Sequence, residues 1–167
     1  YQHKRHTADE RAESTDALWK QYVEEYYELD SLHRRFLHYY QETSADQNFH
    51  SIMTQLEKHY INSFQFELHT RWEKAFRESS YAPPRGVRRQ AEFFSKFVEP
   101  YLKDDRVLFV IISDALRYEA AVELHDRLMR TNRFQVKVDA MGGSIPSYTQ
   151  LGMAALLPHT SLEIETD

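Results

Sequence analysis

The first 82 residues contain neither glycine nor proline. These two residues punctuate a polypeptide, glycine by its conformational freedom and proline by its fixed φ and missing donor. A long stretch without either can run as helix with few interruptions, and the apolar positions agree. Leu18, Tyr22, Tyr26, Leu29, Leu32 and Phe36 step by three or four, drawing one stripe along a helix. Gln41 to Asn48 is a polar gap in which Ser44 and Gln47 stand at capping-box spacing. The stripe resumes at Phe49, Met53, Leu56, Tyr60, Phe64, Leu68, Trp72 and Ala75. Two long helices with a short polar connection predict an antiparallel pair. Ala82-Pro83-Pro84-Arg85-Gly86 ends the second helix, and a shorter helix is expected over Val87 to Glu99, with Ala91, Phe94 and Val98 on one face.

Composition narrows the function classes. A chain of 167 residues suffices for one ordinary domain or two small ones. The absence of cysteine excludes a disulfide scaffold, a thiol nucleophile and every cysteine-based zinc module. The formal charge of −5 argues against a purely electrostatic nucleic-acid binder. No apolar run approaches the ~20 residues of a membrane span, and Tyr1 to Glu10 is polar, unlike a signal peptide, so no membrane partner is expected.

The aromatic stripe has two readings, a base-stacking platform or a helix–helix interface with tyrosine hydroxyls at the rim. Strict helical period favours the interface. His3 with His6, and His33 with His38, lack the acidic or cysteine partners that complete a ligand set, so a solvated surface role is the simpler reading. Arg85, Arg88 and Arg89 form a small basic cluster that suits a solvated helix start or a phosphate contact.

The character changes at Asp105. Val107 to Ile112 is a continuous apolar run that predicts a central parallel strand, with Ser113 and Asp114 at its carboxyl end. Ala115 to Arg130 returns to helical period, and Phe134 to Asp139 alternates as a second strand. The order predicts a right-handed βαβ crossover, with ligands placed at the carboxyl ends of its strands. Asp114 is equally well read as a helix N-cap or as a ligand. Arg117 and Glu119 lie in the first helical turns, where either could reach that site or pair on the surface.

Three of the four glycines fall between Gly142 and Gly152. Gly142-Gly143 allows a tight turn. Ser147 and Gln150 stand at capping-box spacing, so a helix should start there, place Thr149 near its second position, and stop before Pro158. The unpaired N–H groups and positive dipole end at such a place suit a phosphate, and the same field stabilises an alkoxide. Thr149 is therefore either part of the cap or a candidate nucleophile.

A strand ending in Ser-Asp, a crossover, and a Pro-Ser-x-Thr helix start together resemble the alkaline phosphatase superfamily. The strings Ile111-Ile112-Ser113-Asp114-Ala115-Leu116-Arg117-Tyr118-Glu119 and Pro146-Ser147-Tyr148-Thr149-Gln150-Leu151-Gly152-Met153-Ala154-Ala155-Leu156-Leu157-Pro158-His159 resemble the signatures of the PglZ family, in its type A, BREX type 1 form. They occupy roughly the last third of the chain. Trp19, Tyr22, Tyr26-Tyr27, Asp30, Arg34-Arg35 and Phe36 resemble, far less specifically, the helical region that precedes a PglZ domain.

The resemblance implies an α+β chain: a helical region over 1–104, then over 105–167 the beginning of an α/β alkaline-phosphatase-like core, incomplete here. It implies a metal-dependent phosphatase or phosphodiesterase of BREX antiphage defence, cytoplasmic, using two metal ions of the zinc type. Asp114 would be a metal ligand, Thr149 the nucleophile and a metal-bridging group, and Ser147 with Thr149 would hold the phosphate. Other BREX components, and a nucleic acid or another phosphoester as substrate, are the implied partners. The superfamily takes its remaining ligands from segments well downstream, and His159, the one histidine after Thr149, matches the second signature's tail and no ligand position. The 167 residues alone are therefore expected not to assemble a two-metal site. The alternative is a non-catalytic helical module or scaffold that docks other defence components. A PglZ-type signalling effector is less favoured, because no receiver-like segment precedes the helical region.

Overall fold

The computed structural model describes residues 13–42, 47–103 and 107–163. The chain divides into two compact units, Tyr1–Pro84 and Arg85–Asp167.

The first unit is the expected antiparallel hairpin. Its first arm comprises α1 (Thr15–Gln21), a π-helical segment (Tyr22–Tyr26) and α2 (Tyr27–Glu42). Its second comprises α3 (Gln47–His59), a π-helical segment (Tyr60–Gln65) and α4 (Phe66–Glu78). Ser14 caps the first arm through its hydroxyl, which accepts from the Ala17 N–H at 3.2 Å. Of the second capping box, Ser44 lies outside the described residues.

Contacts between the arms follow antiparallel order. Arg71 donates to Glu13 at 2.7 and 2.5 Å and to Gln21 at 3.2 Å. Tyr26 meets Phe64 edge-on at 5.9 Å, His33 stacks on Tyr60 at 3.7 Å, and the Tyr40 hydroxyl lies 2.9 Å from His50 Nδ1. Where the two π segments face each other, Asp30 accepts from the Tyr22 hydroxyl at 2.6 Å and the Tyr60 hydroxyl at 2.7 Å. The aromatic stripe is thus a helix–helix interface tied by hydroxyls, and His33 packs inside it. At the open end Leu18 and Ala75 are buried where α1 packs on α4. The Arg71 hydrogen bond, reinforced by its charge and by Gln21, holds the Glu13 carboxyl below the usual range.

The second unit departs further from the sequence reading. The helix expected over Val87 to Glu99 is broken into β1 (Arg88–Arg89), a 3₁₀ turn (Gln90–Glu92), a π-helical turn (Phe94–Val98) and a 3₁₀ turn (Glu99–Tyr101) containing Pro100. Its first residues are taken by a sheet, because β1 pairs in parallel with β2 (Met141–Gly142), Arg88 opposite Met141 and Arg89 opposite Gly142. Arg88 also pairs with Asp139 and lies over the Phe97 ring at 5.4 Å. Arg88 is therefore spent on internal contacts and does not start a solvated helix.

The strands expected at Val107–Ile112 and Phe134–Asp139 make no ladder among the described residues, so their βαβ crossover is not formed there. A strand persists only against a hydrogen-bonded neighbour, and an apolar run needs cover on both faces. Neither is supplied, and Val107, Phe109 and Ile111 are 82%, 84% and 91% exposed. The helix expected from Ala115 begins three residues later as α5 (Tyr118–Arg130), because Ala115 takes a left-handed φ of 52°. The last helix, α6 (Thr149–Leu156), ends before Pro158 as expected. The chain is accordingly mostly helical with one two-residue-per-strand sheet, and no alkaline-phosphatase core is formed among the described residues.

Candidate functional site

Thr149 is the first residue of α6, and the N-cap is Tyr148, with no side-chain cap. The Ser147–Gln150 capping box does not form. Tyr148 N–H instead donates to Pro146 O at 3.1 Å across the loop, and the first helical bond runs from Gly152 N–H to Tyr148 O at 3.0 Å. The N–H groups of the first turn, which carries Thr149, have no acceptor within the helix. Thr149 and Ser147 are exposed. A hydroxyl at this place faces open solvent beside free donors and the positive end of the dipole, an arrangement that favours an anion.

What holds this helix start in place is a residue that sequence reasoning missed. The Gln90 carboxamide oxygen accepts from Ser144 N–H at 3.1 Å and from the Ser144 hydroxyl at 3.3 Å. The same side chain lies against Gly152, where a Cβ would stand 3.4 Å from Gln90 Nε2. Gln90 thus ties the loop before Thr149 to the helix after it, while Ala155 is buried beneath. No single-sequence signal marks it, since Gln90 and Ser144 are 54 residues apart.

Asp114 lies in the turn between the apolar run and α5, and it is exposed. It does not cap α5, whose N-cap is Arg117 with an extended backbone (φ −77°, ψ 153°). Of its two local readings the cap is thus removed. The structure prints no hydrogen bond between Asp114 and Thr149 or Ser147, and each stands at the end of a different helix. Glu119, two residues past the cap, is 1% exposed, and both of its oxygens lack a hydrogen-bond partner.

Asp114 and Thr149 offer oxygen donors of the kind divalent cations take, but two donors fall short of the four or more a bound cation requires. Among the described residues no group of three or more histidine, aspartate or glutamate side chains is placed to hold a metal ion. These residues by themselves therefore do not fit a two-metal centre. No helix among the described residues is long and apolar enough to cross a membrane.

An exposed hydroxyl at a glycine-loop helix start, and a carboxylate after an apolar run, are the parts of a phosphatase-like protein. Comparison with known proteins identifies that class. Residues 93–167 match the family model described as the BREX system PglZ alkaline phosphatase-like domain. The chain is 35% identical over 147 residues to the alkaline phosphatase-like protein PglZ of Bacillus cereus (strain H3081.97), covering 87% of this chain and 17% of that protein. It is 36% identical over 166 residues to the alkaline phosphatase-like protein BrxZ of Escherichia coli O9:H4 (strain HS), covering 95% of this chain and 19% of that protein. The chain belongs to the PglZ family. It spans less than a fifth of the length of these relatives. No solved structure matches it.

Proposed function

We propose that this chain supplies Thr149 as nucleophile and Asp114 as a metal ligand to a metal-dependent phosphatase or phosphodiesterase of BREX antiphage defence, type A of the family and acting in the cytoplasm. The observation that carries the reading is that the family match over 93–167 spans both the Ser113-Asp114 and the Pro146-Ser147-Tyr148-Thr149 strings. The phosphatase-like segment is taken as 105–167, and residues 1–104 as the helical region before it. The missing ligands come from the further length that the relatives possess. Two divalent cations, zinc in this reading, would supply Lewis-acid charge when bound.

The chemistry assigned to this chain is local. The Thr149 Oγ forms a bond to phosphorus, the bond to the leaving oxygen breaks, and the hydroxyl proton ends on the leaving alcohol or solvent. Water then attacks the phosphothreonine, releases phosphate and restores the hydroxyl. The free N–H groups of α6 and Ser147 hold the equatorial oxygens, and Gln90 fixes the loop that presents them. The test is turnover of a chromogenic phosphodiester and phosphomonoester by the full-length protein with its metal content measured. Thr149→Ala is expected to abolish turnover and Asp114→Ala to lower bound metal. Unchanged turnover in Thr149→Ala would sink the reading.

A second reading rests on the hairpin. Leu29, Leu32, Phe49, Ile52 and Leu56 are large apolar side chains left 43% to 58% exposed. They favour a helical module that docks other BREX components. Loss of co-purifying BREX proteins on Leu32→Ser with Phe49→Ser, at full phosphoester turnover, supports it.

A further inference from the structure

Glu119 is the anomaly of the second unit. Its side chain is fully buried, it sits at the second position of α5, and neither oxygen accepts a hydrogen bond. A carboxylate removed from water without a donor is strongly unfavourable, so its place in the fold calls for a cation. Among the described residues the cation the structure brings to it is Arg117, whose Nη1 stands 4.0 Å from Glu119 Oε1. That distance lies beyond a hydrogen bond but within a small rotation of one.

Arg117 is built to serve two anions. Its backbone is locked as the N-cap, its carbonyl accepting from Ala120 and Ala121 at 3.1 Å each. Its side chain is 70% exposed. A guanidinium carries five N–H donors in a planar fork, so one edge can close on Glu119 while the other faces outward. Three residues separate it from Asp114, a span of at most about 11 Å between Cα atoms. The left-handed turn at Ala115 makes the link compact.

We infer that Arg117 contacts the anionic phosphoryl group of the substrate and that Glu119 is the positioning residue that aims it. The inference rests on the phosphoester reading above. Glu119 lies too deep to touch substrate. It acts by fixing the guanidinium, as a buried carboxylate orients a charged donor.

The experiment uses the full-length protein with inorganic phosphate as the probe, measured by calorimetry, beside KM and kcat for a chromogenic phosphoester. Arg117→Ala is expected to weaken phosphate binding about tenfold or more and to raise KM by a similar factor. Arg117→Lys restores part of this, because a point charge replaces a fork. Glu119→Gln, which keeps the shape and removes the charge, weakens phosphate severalfold, and its effect disappears in the Arg117→Ala background. Equal effects of Glu119→Gln in both backgrounds would mean a merely structural role and overturn the positioning. If Glu119→Gln does not fold, the same cycle is run with Glu119→Asp. Unchanged phosphate affinity in Arg117→Ala overturns the contact. If that result accompanies loss of turnover in Thr149→Ala, the phosphoester reading stands and this inference alone fails. If the unsubstituted protein neither binds phosphate nor turns over, both fail.

Discussion

Asp30 and Glu119 are both carboxylates on helices, and their surroundings differ in kind. Asp30 receives two tyrosine hydroxyls, one from its own arm and one from across the hairpin. Glu119 is more deeply buried and receives none. The same contrast holds for apolar groups. Leu18 is 1% exposed in the hairpin, while Ile111 in the second unit is 91% exposed. A helical hairpin closes its own hydrogen bonds and finds its neighbour one short turn away. A central strand depends on partners remote in sequence. The first unit is therefore complete in its local bonding, and the second displays groups whose natural partners lie elsewhere.

Substitutions can break or sharpen this contrast. The largest effect is expected in activity: Thr149→Ala should cut phosphoester turnover of the full-length protein at least about 10³-fold, measured at saturating substrate. In stability the hairpin should dominate. Leu18→Ala should cost about 2–5 kcal/mol, read from the shift in urea midpoint of this chain. Breaking the Glu13–Arg71 pair with Glu13→Gln should cost about 1–2 kcal/mol at neutral pH. Because Glu13 titrates below its unfolded value, that contribution is present above the ordinary glutamate range and is lost as pH falls through the lowered value. Wild type and Glu13→Gln should thus converge in stability in acid, and a difference that persists there contradicts the assignment. The smallest effect is expected at the unpaired run. Ile111→Ser should change the stability of this chain by no more than about 0.5 kcal/mol, because so little of that side chain is buried. A cost near that of Leu18→Ala would mean the run is covered after all and would erase the contrast.

The hairpin is legible in the sequence because its information is local: helical period, missing punctuation and a polar gap. Even there, the Asp30 bridge to Tyr60 spans 30 residues and no spacing rule points to it. The start of α6 is legible to within a residue, but the capping box misleads, since Ser147 leaves the cap to the Tyr148 backbone. The apolar period of Val107 to Ile112 reports what the segment could pair with, not whether the pair is at hand. The helix at Val87 to Glu99 fails for a related reason: Arg88 and Arg89 find strand partners more than 50 residues later, and local propensity gives way. Asp114 and Thr149 are legible as chemistry through their strings, whereas Gln90, which holds the loop for Thr149, is legible only in three dimensions.

The paired π segments carry a consequence for how the hairpin tolerates changes of length. A π turn accommodates one extra residue within a continuous helix, and each arm holds one at the same level. Removing a single residue from Tyr22–Tyr26 should rotate everything beyond it by about 100° and turn the Asp30 side chain away from Tyr60. A matching deletion in Tyr60–Gln65 would rotate the opposing surface as well. The two insertions are thus coupled like a frameshift and its suppressor, so the arms can change length together more readily than either can alone.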